Sequence, residues 1–349
     1  MSSFFQDQGR YFRQLTVPAS AAGRRVDVFL SRRFPEWSRS LIARHIREGL
    51  VDSDRRPLKA SSALRAGELL RVFVPGIAPT GEPPPMPLVV YEDDHLLAVS
   101  KPAGLLVHPV GQRFEYGLIG LVRDARPGRV IAPAHRIDRE TSGIVLLALS
   151  GEADRRMKEA FKRRLVQKSY LAIVRGQPDW QSTTVDAPIG KAGGELELRR
   201  AVRDEGDPAT TRFFVEALLP RELALLRCEP VTGRTHQIRV HLEHAGFPIL
   251  GDKIYGQPDD IFLEGRSHGA TPRVREAVGF PRQCLHAFTL AFVHPYTGAP
   301  VHIEAPLLPD MAAVTQGEAP AWNEGTEHAG HDVAESDEPE GDEPDAVRA

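Results

Sequence analysis

The chain is poor in the residues that staple or span a protein. Only two cysteines, Cys228 and Cys284, occur in 349 residues, far apart and in no paired ligand motif. That usage speaks against a disulfide framework or a cysteine zinc site and for a reducing cytoplasm. No run approaches the roughly 18 apolar residues that a membrane span requires. The opening MSSFFQDQGRYFRQL is broken by polar and acidic side chains where a secretory leader needs an apolar core. A glycine-rich phosphate loop, a Gly-x-Ser-x-Gly elbow and a His-Glu-x-x-His pair are all missing, which argues against the kinase, hydrolase and zinc-protease readings that use them. His236, His241 and His244 crowd together, but the spacing between His236 and His241 does not align them on one helix face. They read as structural or phosphate-facing groups, with no metal expected. No internal repeat is found.

What is present is enough for real cores: 41% of residues are hydrophobic and 26% charged. The formal net charge of −3 is an average of two unlike parts. From Glu318 onward the chain carries eleven acidic groups and one arginine, which leaves about +7 for residues 1–317. Residues 1–60 alone hold twelve Lys and Arg against six Asp and Glu. A basic body points to a polyanion, nucleic acid first. Five segments follow from composition: a flexible start over 1–13, a small module over 14–76, a proline-rich linker over 77–87, a large module over 88–312 and an acidic, disordered tail over 313–349.

In the small module a helix is predicted from Ser38 to Glu48, capped by Ser38 and stopped by Gly49. Leu41, Ile42 and Ile46 fall on one side of it, with Arg39, Arg44 and Arg47 on or near the other, a face suited to phosphates. Short strands are expected near Leu50–Val51 and Leu69–Val74. In the large module, strands are expected at Leu96–Ser100, Ile144–Leu149 and Tyr170–Val174, and a hairpin at Phe213–Leu218 and Leu223–Cys228. Helices are expected at Glu152–Leu165, with Leu165 inward, and at Thr235–His244. This is an α+β chain: a small module, then a mixed, largely antiparallel sheet flanked by helices.

The chemistry centres on His135-Arg136-Ile137-Asp138-Arg139-Glu140-Thr141-Ser142-Gly143, one carboxylate between guanidinium groups at a turn into an apolar strand. Taken alone, such an aspartate is most often a surface ion pair with Arg136 or Arg139. Fixed at the rim of a sheet, it also suits a nucleophile that stays ionised. A second polar cluster, Gly233-Arg234-Thr235-His236-Gln237-Ile238-Arg239, spaces Arg234 from Gln237 and His236 from Arg239 by three at the start of a helix, where an anion is favoured.

Taken together, these segments resemble the RluA-type family of RNA pseudouridine synthases. The resemblance rests on Lys101-Pro102-Ala103-Gly104 through Pro109, on His135–Asp138 with Thr141–Gly143, and on Lys168-Ser169-Tyr170. It continues through Thr232–His241, Pro248–Gly256, Arg282–Ala287 and His294–Gly298, so that it covers about residues 14–312. Residues 14–76 resemble the S4 RNA-binding domain through Arg25–Leu30, Ser38–Ile42, Ile46–Val51 and Ala66–Leu70, although Asp52–Pro57 stands where that family has a Val-Asn-Gly-like turn. The resemblance implies a cofactor-free isomerisation of uridine in RNA, ribosomal ahead of transfer RNA, by a cytoplasmic monomer. Asp138 would be its catalytic carboxylate, Tyr170 would lie against the uracil, and Arg239, with Arg234 as rival, would pair with Asp138. Arg136, Arg234, His236, Arg39, Arg44 and Arg47 would bind RNA.

Overall fold

The computed structural model describes residues 3–7, 10–34, 37–53, 56–73, 84–107, 117–126, 129–194, 196–318 and 322. It divides into two units, residues 1–84 with 112–116 and the remainder.

The first unit begins with β1 (Ser3–Asp7) and β2 (Arg10–Thr16), an antiparallel pair where the sequence predicts a flexible start. Aromatic-rich segments flank a short polar break there, and β2 finds a partner in β4, which supplies the backbone bonds that an isolated terminus lacks. A single 3-10 turn at Ala19–Ala21 leads to α1 (Val26–Arg33) and α2 (Arg39–Arg47), then β3 (Val51–Ser53) and β4 (Leu69–Phe73). The strand order is β1-β2-β4-β3, antiparallel throughout. Ser38 caps α2 by accepting the Leu41 N–H at 3.2 Å. Gly49, at φ +70°, turns the chain so that the Leu50 N–H reaches the His45 carbonyl. Val26, Leu30, Ile42, Ile46, Leu70 and Val72 form the core beneath the helices.

The second unit is built on one large sheet. Its elements are β5 (Leu88–Glu92), β6 (Leu96–Lys101), α3 (Leu118–Ala125), β7 (Ala132–Pro133), β8 (Ser142–Ala148), α4 (Gly151–Lys162), β9 (Gln167–Arg175) and β10 (Ser182–Asp186). Next come β11 (Ile189–Lys191), β12 (Arg200–Val202), β13 (Thr210–Leu219), β14 (Leu223–Pro230) and α5 (Gln237–His244). The last are α6 (Asp259–His268), α7 (Pro272–Val278), β15 (Leu285–Val293), β16 (Pro300–Glu304) and α8 (Pro309–Thr315). The sheet runs β10-β13-β14-β9-β15-β8-β6-β5, with β16 added to β15 and β7 to β8, while β11 and β12 pair separately. Every pairing in it among the described residues is antiparallel except β8 with β15. β6 and β8 are buried along their whole length, the pattern of strands covered on both faces.

Three local expectations are corrected. α4 ends at Lys162, and Arg164 at φ +58° turns the chain outward, so Leu165 is 62% exposed rather than inward. α5 starts at Gln237, because His236 adopts a left-handed conformation at φ +58° and cannot continue a helix backward. Residues 313–318 are not tail: α8 seats Met311 and Val314 in the core. The rest of the acidic tail, apart from Trp322, and residues 77–83 of the proline-rich linker lie outside the described residues.

Candidate active site

The parallel pair of β8 and β15 organises the site. Its register sets His286 opposite Ser142 and Ala287 opposite Gly143. A Cβ at Gly143 would stand 2.2 Å from the Ala287 carbonyl oxygen, so only glycine lets the two backbones meet. Ser142 Oγ lies 2.9 Å from His286 Nδ1, and His286 Nε2 lies 3.2 Å from the Ala305 carbonyl, which pins both strands.

Asp138 stands in the loop between β7 and β8. Lys101, fully buried at the end of β6, holds this loop by donating to the Pro102 and Arg139 carbonyls at 2.9 Å each. Burial drives the Lys101 ammonium down to about 7. The Gly104 N–H also donates to the Arg139 carbonyl, and Arg139 Nε returns a bond to the Gly104 carbonyl at 3.0 Å. From the far end of the chain, Gln283 donates to Thr141 Oγ1 at 2.6 Å and to Asp138 Oδ2 at 3.4 Å. Glu140 pairs with Lys253 and accepts the Gln283 N–H.

Arg239, on α5, settles the pairing in its own favour. Its Nη1 donates to Asp138 Oδ2 at 2.9 Å, while Nε and Nη2 grip Asp252 at 2.7 and 2.9 Å. Asp252 is fully buried and accepts the Ile254 and Tyr255 N–H groups as well. The guanidinium carbon sits 4.8 Å from the centre of the Tyr255 ring. Burial opposes ionisation of Asp138. The proximity of His236, the Arg239 charge and the bonds from Arg239 and Gln283 outweigh it and hold the carboxyl below its usual range.

Tyr170 lies on β9, opposite Ala287 of β15 and Cys228 of β14. Burial, and then the Asp138 charge, push its hydroxyl well above the ordinary phenol value, so it keeps its proton. His236 brings Nε2 to 4.0 Å from Asp138 Oδ2. Arg234 does not reach Asp138: its Nε donates to the Pro208 carbonyl at 3.3 Å, and its N–H to Gln237 Oε1. Gln237, which the spacing suggested might face an anion, bonds Thr232, Thr210 and Thr211 instead. His241 lies against Thr211 and the Ala187 carbonyl. Arg136 is exposed. In the first unit, Arg39 is tied to Asp27 at 2.8 Å, Arg44 lies 3.9 Å from Glu48, and Arg47 is exposed.

Sequence reasoning assigned no role to Asp252, Gln283, Tyr255 or Lys101. Nothing local marks them, since the partners that tie them to the site, Arg239, Asp138, His236 and Arg139, lie 13 to 145 positions away in the chain. The one available signal was that all four fall in or beside the segments that carry the resemblance. Among the described residues, no group of three or more His, Cys, Asp or Glu is placed to hold a metal ion, and no helix is long and apolar enough to cross a membrane.

An ionised carboxylate about a quarter exposed, braced by a buried arginine, has the form of a group that can act as nucleophile or base. A family model described as RNA pseudouridylate synthase matches residues 95–244. The chain is 39% identical over 306 residues to ribosomal large subunit pseudouridine synthase D of Xanthomonas campestris pv. campestris, covering 86% of this chain and 90% of that one. It is 39% identical over 309 residues to ribosomal large subunit pseudouridine synthase C of Salmonella typhimurium, covering 84% and 92%. Among solved structures, human RNA pseudouridylate synthase domain containing 1 aligns with a TM-score of 0.53 at 26% identity, covering 69% of this chain and 92% of that one. The chain belongs to the RNA pseudouridine synthase family and is an enzyme of the isomerase class.

Proposed function

We propose that this enzyme converts specific uridines of large-subunit ribosomal RNA to pseudouridine, with Asp138 as the group that attacks the ribose. The observation that carries the reading is the chain Asp138–Arg239–Asp252 beside Tyr170. The N1–C1′ bond breaks, the uracil turns, C5 bonds to C1′, the C5 proton leaves, and N1 gains a proton in its place. Atoms balance within one nucleotide, so no co-reactant is consumed. Asp138 acts at C1′ as nucleophile or takes the 2′ proton as base; in either role it must stay ionised, which Arg239 favours. Tyr170 lies against the uracil and assists the final loss of the C5 proton. Neither C1′ nor C5 is accessible within a stacked duplex, so the target uridine flips out or lies in a loop.

Two of the similar curated proteins carry large-subunit names, which supports ribosomal over transfer RNA. Arg136 would hold the strand near Asp138, and Arg234 and His236 would line the approach. The S4-like first unit would add phosphate contacts through Arg44 and Arg47, with Arg39 contributing from its ion pair. The reading places a monomeric enzyme in the cytoplasm, where its RNA is made. The test is Asp138→Asn. Purified full-length enzyme should leave pseudouridine at defined positions of protein-free large-subunit RNA, and the variant should leave none while binding that RNA nearly as well. Pseudouridine formed by the variant would sink the assignment of Asp138, and its absence with wild-type enzyme would sink the substrate.

A further inference from the structure

Tyr255 is 1% exposed, and its Oη lies between two partners. The Arg200 N–H donates to it at 3.0 Å, and His236 Nδ1 lies 2.8 Å away. A phenol has one proton and two lone pairs. Burial, against the lowering influence of Arg239, pushes the hydroxyl well above its ordinary value, so it stays protonated. With the Arg200 N–H on one lone pair, the phenol proton finds its acceptor at Nδ1. That bond assigns the imidazole proton to Nε2, the atom that approaches Asp138. The ring is held in place: His236 is 7% exposed, stands edge-on to Tyr255 at 82°, and sits on a left-handed backbone that a non-glycine residue adopts only at a steric cost. Strain of this kind gathers at functional positions.

We propose that Tyr255 is a positioning residue that locks His236 in the Nε2–H tautomer, and that His236 donates this N–H to an oxygen of the target nucleotide lying against Asp138. The inference rests on the function proposed above. In this tautomer His236 offers the reacting carboxylate a donor and no lone pair, so it does not compete with Asp138 for protons. The acceptor is either the ribose 2′-hydroxyl or the uracil O2, both of which sit beside the bond that breaks.

The tautomer is read by nitrogen NMR of the full-length enzyme labelled in histidine, with the His236 signal assigned by its loss in His236→Gln. An Nε2–H signature is expected, and either an Nδ1–H signature or that of a doubly protonated ring overturns the proposal. Gln keeps a donor near the Nε2 position, so His236→Gln should stay within about threefold of wild-type kcat, whereas His236→Leu should lose about tenfold, the worth of one hydrogen bond. Equal losses overturn the donor role. Tyr255→Phe should mix the tautomers and lower kcat about tenfold with KM little changed. If that variant does not fold, the wild-type spectrum and the two His236 variants decide. Target RNAs carrying 2′-deoxyuridine or 2-thiouridine distinguish the acceptor, because the His236→Leu defect should vanish with whichever lacks it. A defect that persists with both overturns donation to the nucleotide. Failure of wild-type enzyme to make pseudouridine would remove the functional reading and leave the tautomer result standing.

Discussion

Each of the two units holds an aspartate with arginine, and they do so in opposite order. In the first unit Asp27 is buried, its side chain 5% exposed, and the arginines that clasp it, Arg25 and Arg39, are 49% and 57% exposed. In the second the arginine is inside: Arg239 is 7% exposed and Asp138 25%. With the carboxylate buried, the Asp27 pair is a structural clasp; with the guanidinium buried, the Asp138 pair leaves its carboxylate open, as the proposed reaction requires. A buried Arg239 cannot leave with solvent, so its charge stays fixed while Asp138 keeps an open edge for a substrate. Asp252 makes this affordable by compensating the buried cation from behind.

The comparison can be broken by removing the anchors. Asp252→Ala leaves Arg239 buried with only Asp138 to pair it, and should cost about 3–5 kcal/mol in urea unfolding as well as most of the activity. A smaller loss than that of Asp27→Ala would refute the argument from burial order. Buried neutrality has a pH signature at His286, fully buried and held down to about 4 by burial. The unfolded chain takes up a proton at about 6.5 and the folded one does not. Stability from this group is therefore complete above that value and falls as the pH drops toward 4, by about 2 kcal/mol at pH 5. Urea unfolding at pH 8 and pH 5 measures it, and His286→Gln should remove that share. Asp27→Ala releases two arginines into water and should cost only about 1–2 kcal/mol, seen by calorimetry as a loss confined to the first unit's unfolding. The smallest effect is a gain. Arg164 occupies, at φ +58°, the position after α4 where glycine is preferred, so Arg164→Gly should add about 0.5–1 kcal/mol in the same assay.

How much of this was legible follows from the range of the interactions. The buried strands β6 and β8 announce themselves as unbroken apolar runs, and α2 by its serine cap and glycine stop. Between β13 and β14 the connection came through because turn residues separate two apolar segments. Arg239 and Arg234 were not separable by spacing. The difference arises at His236, whose left-handed backbone starts α5 later than predicted and aims Arg239, not Arg234, at Asp138. The first strands are not legible locally because β2 takes its partner, β4, from more than fifty positions further along the chain. Asp252 and Gln283 were beyond reach, since only the fold carries them to Asp138.

The bond from Gln283 to Asp138 spans 145 positions, and the strand that follows Gln283 is the one that pairs with β8. Contacts of that separation form late. During synthesis the first unit, whose buried core is complete by Val72, can close while β15 has yet to emerge. On the proposed reading, a nascent chain gains its means of touching RNA well before its means of altering it, and a ribosome stalled short of β15 holds a chain without the strand that completes the Asp138 site.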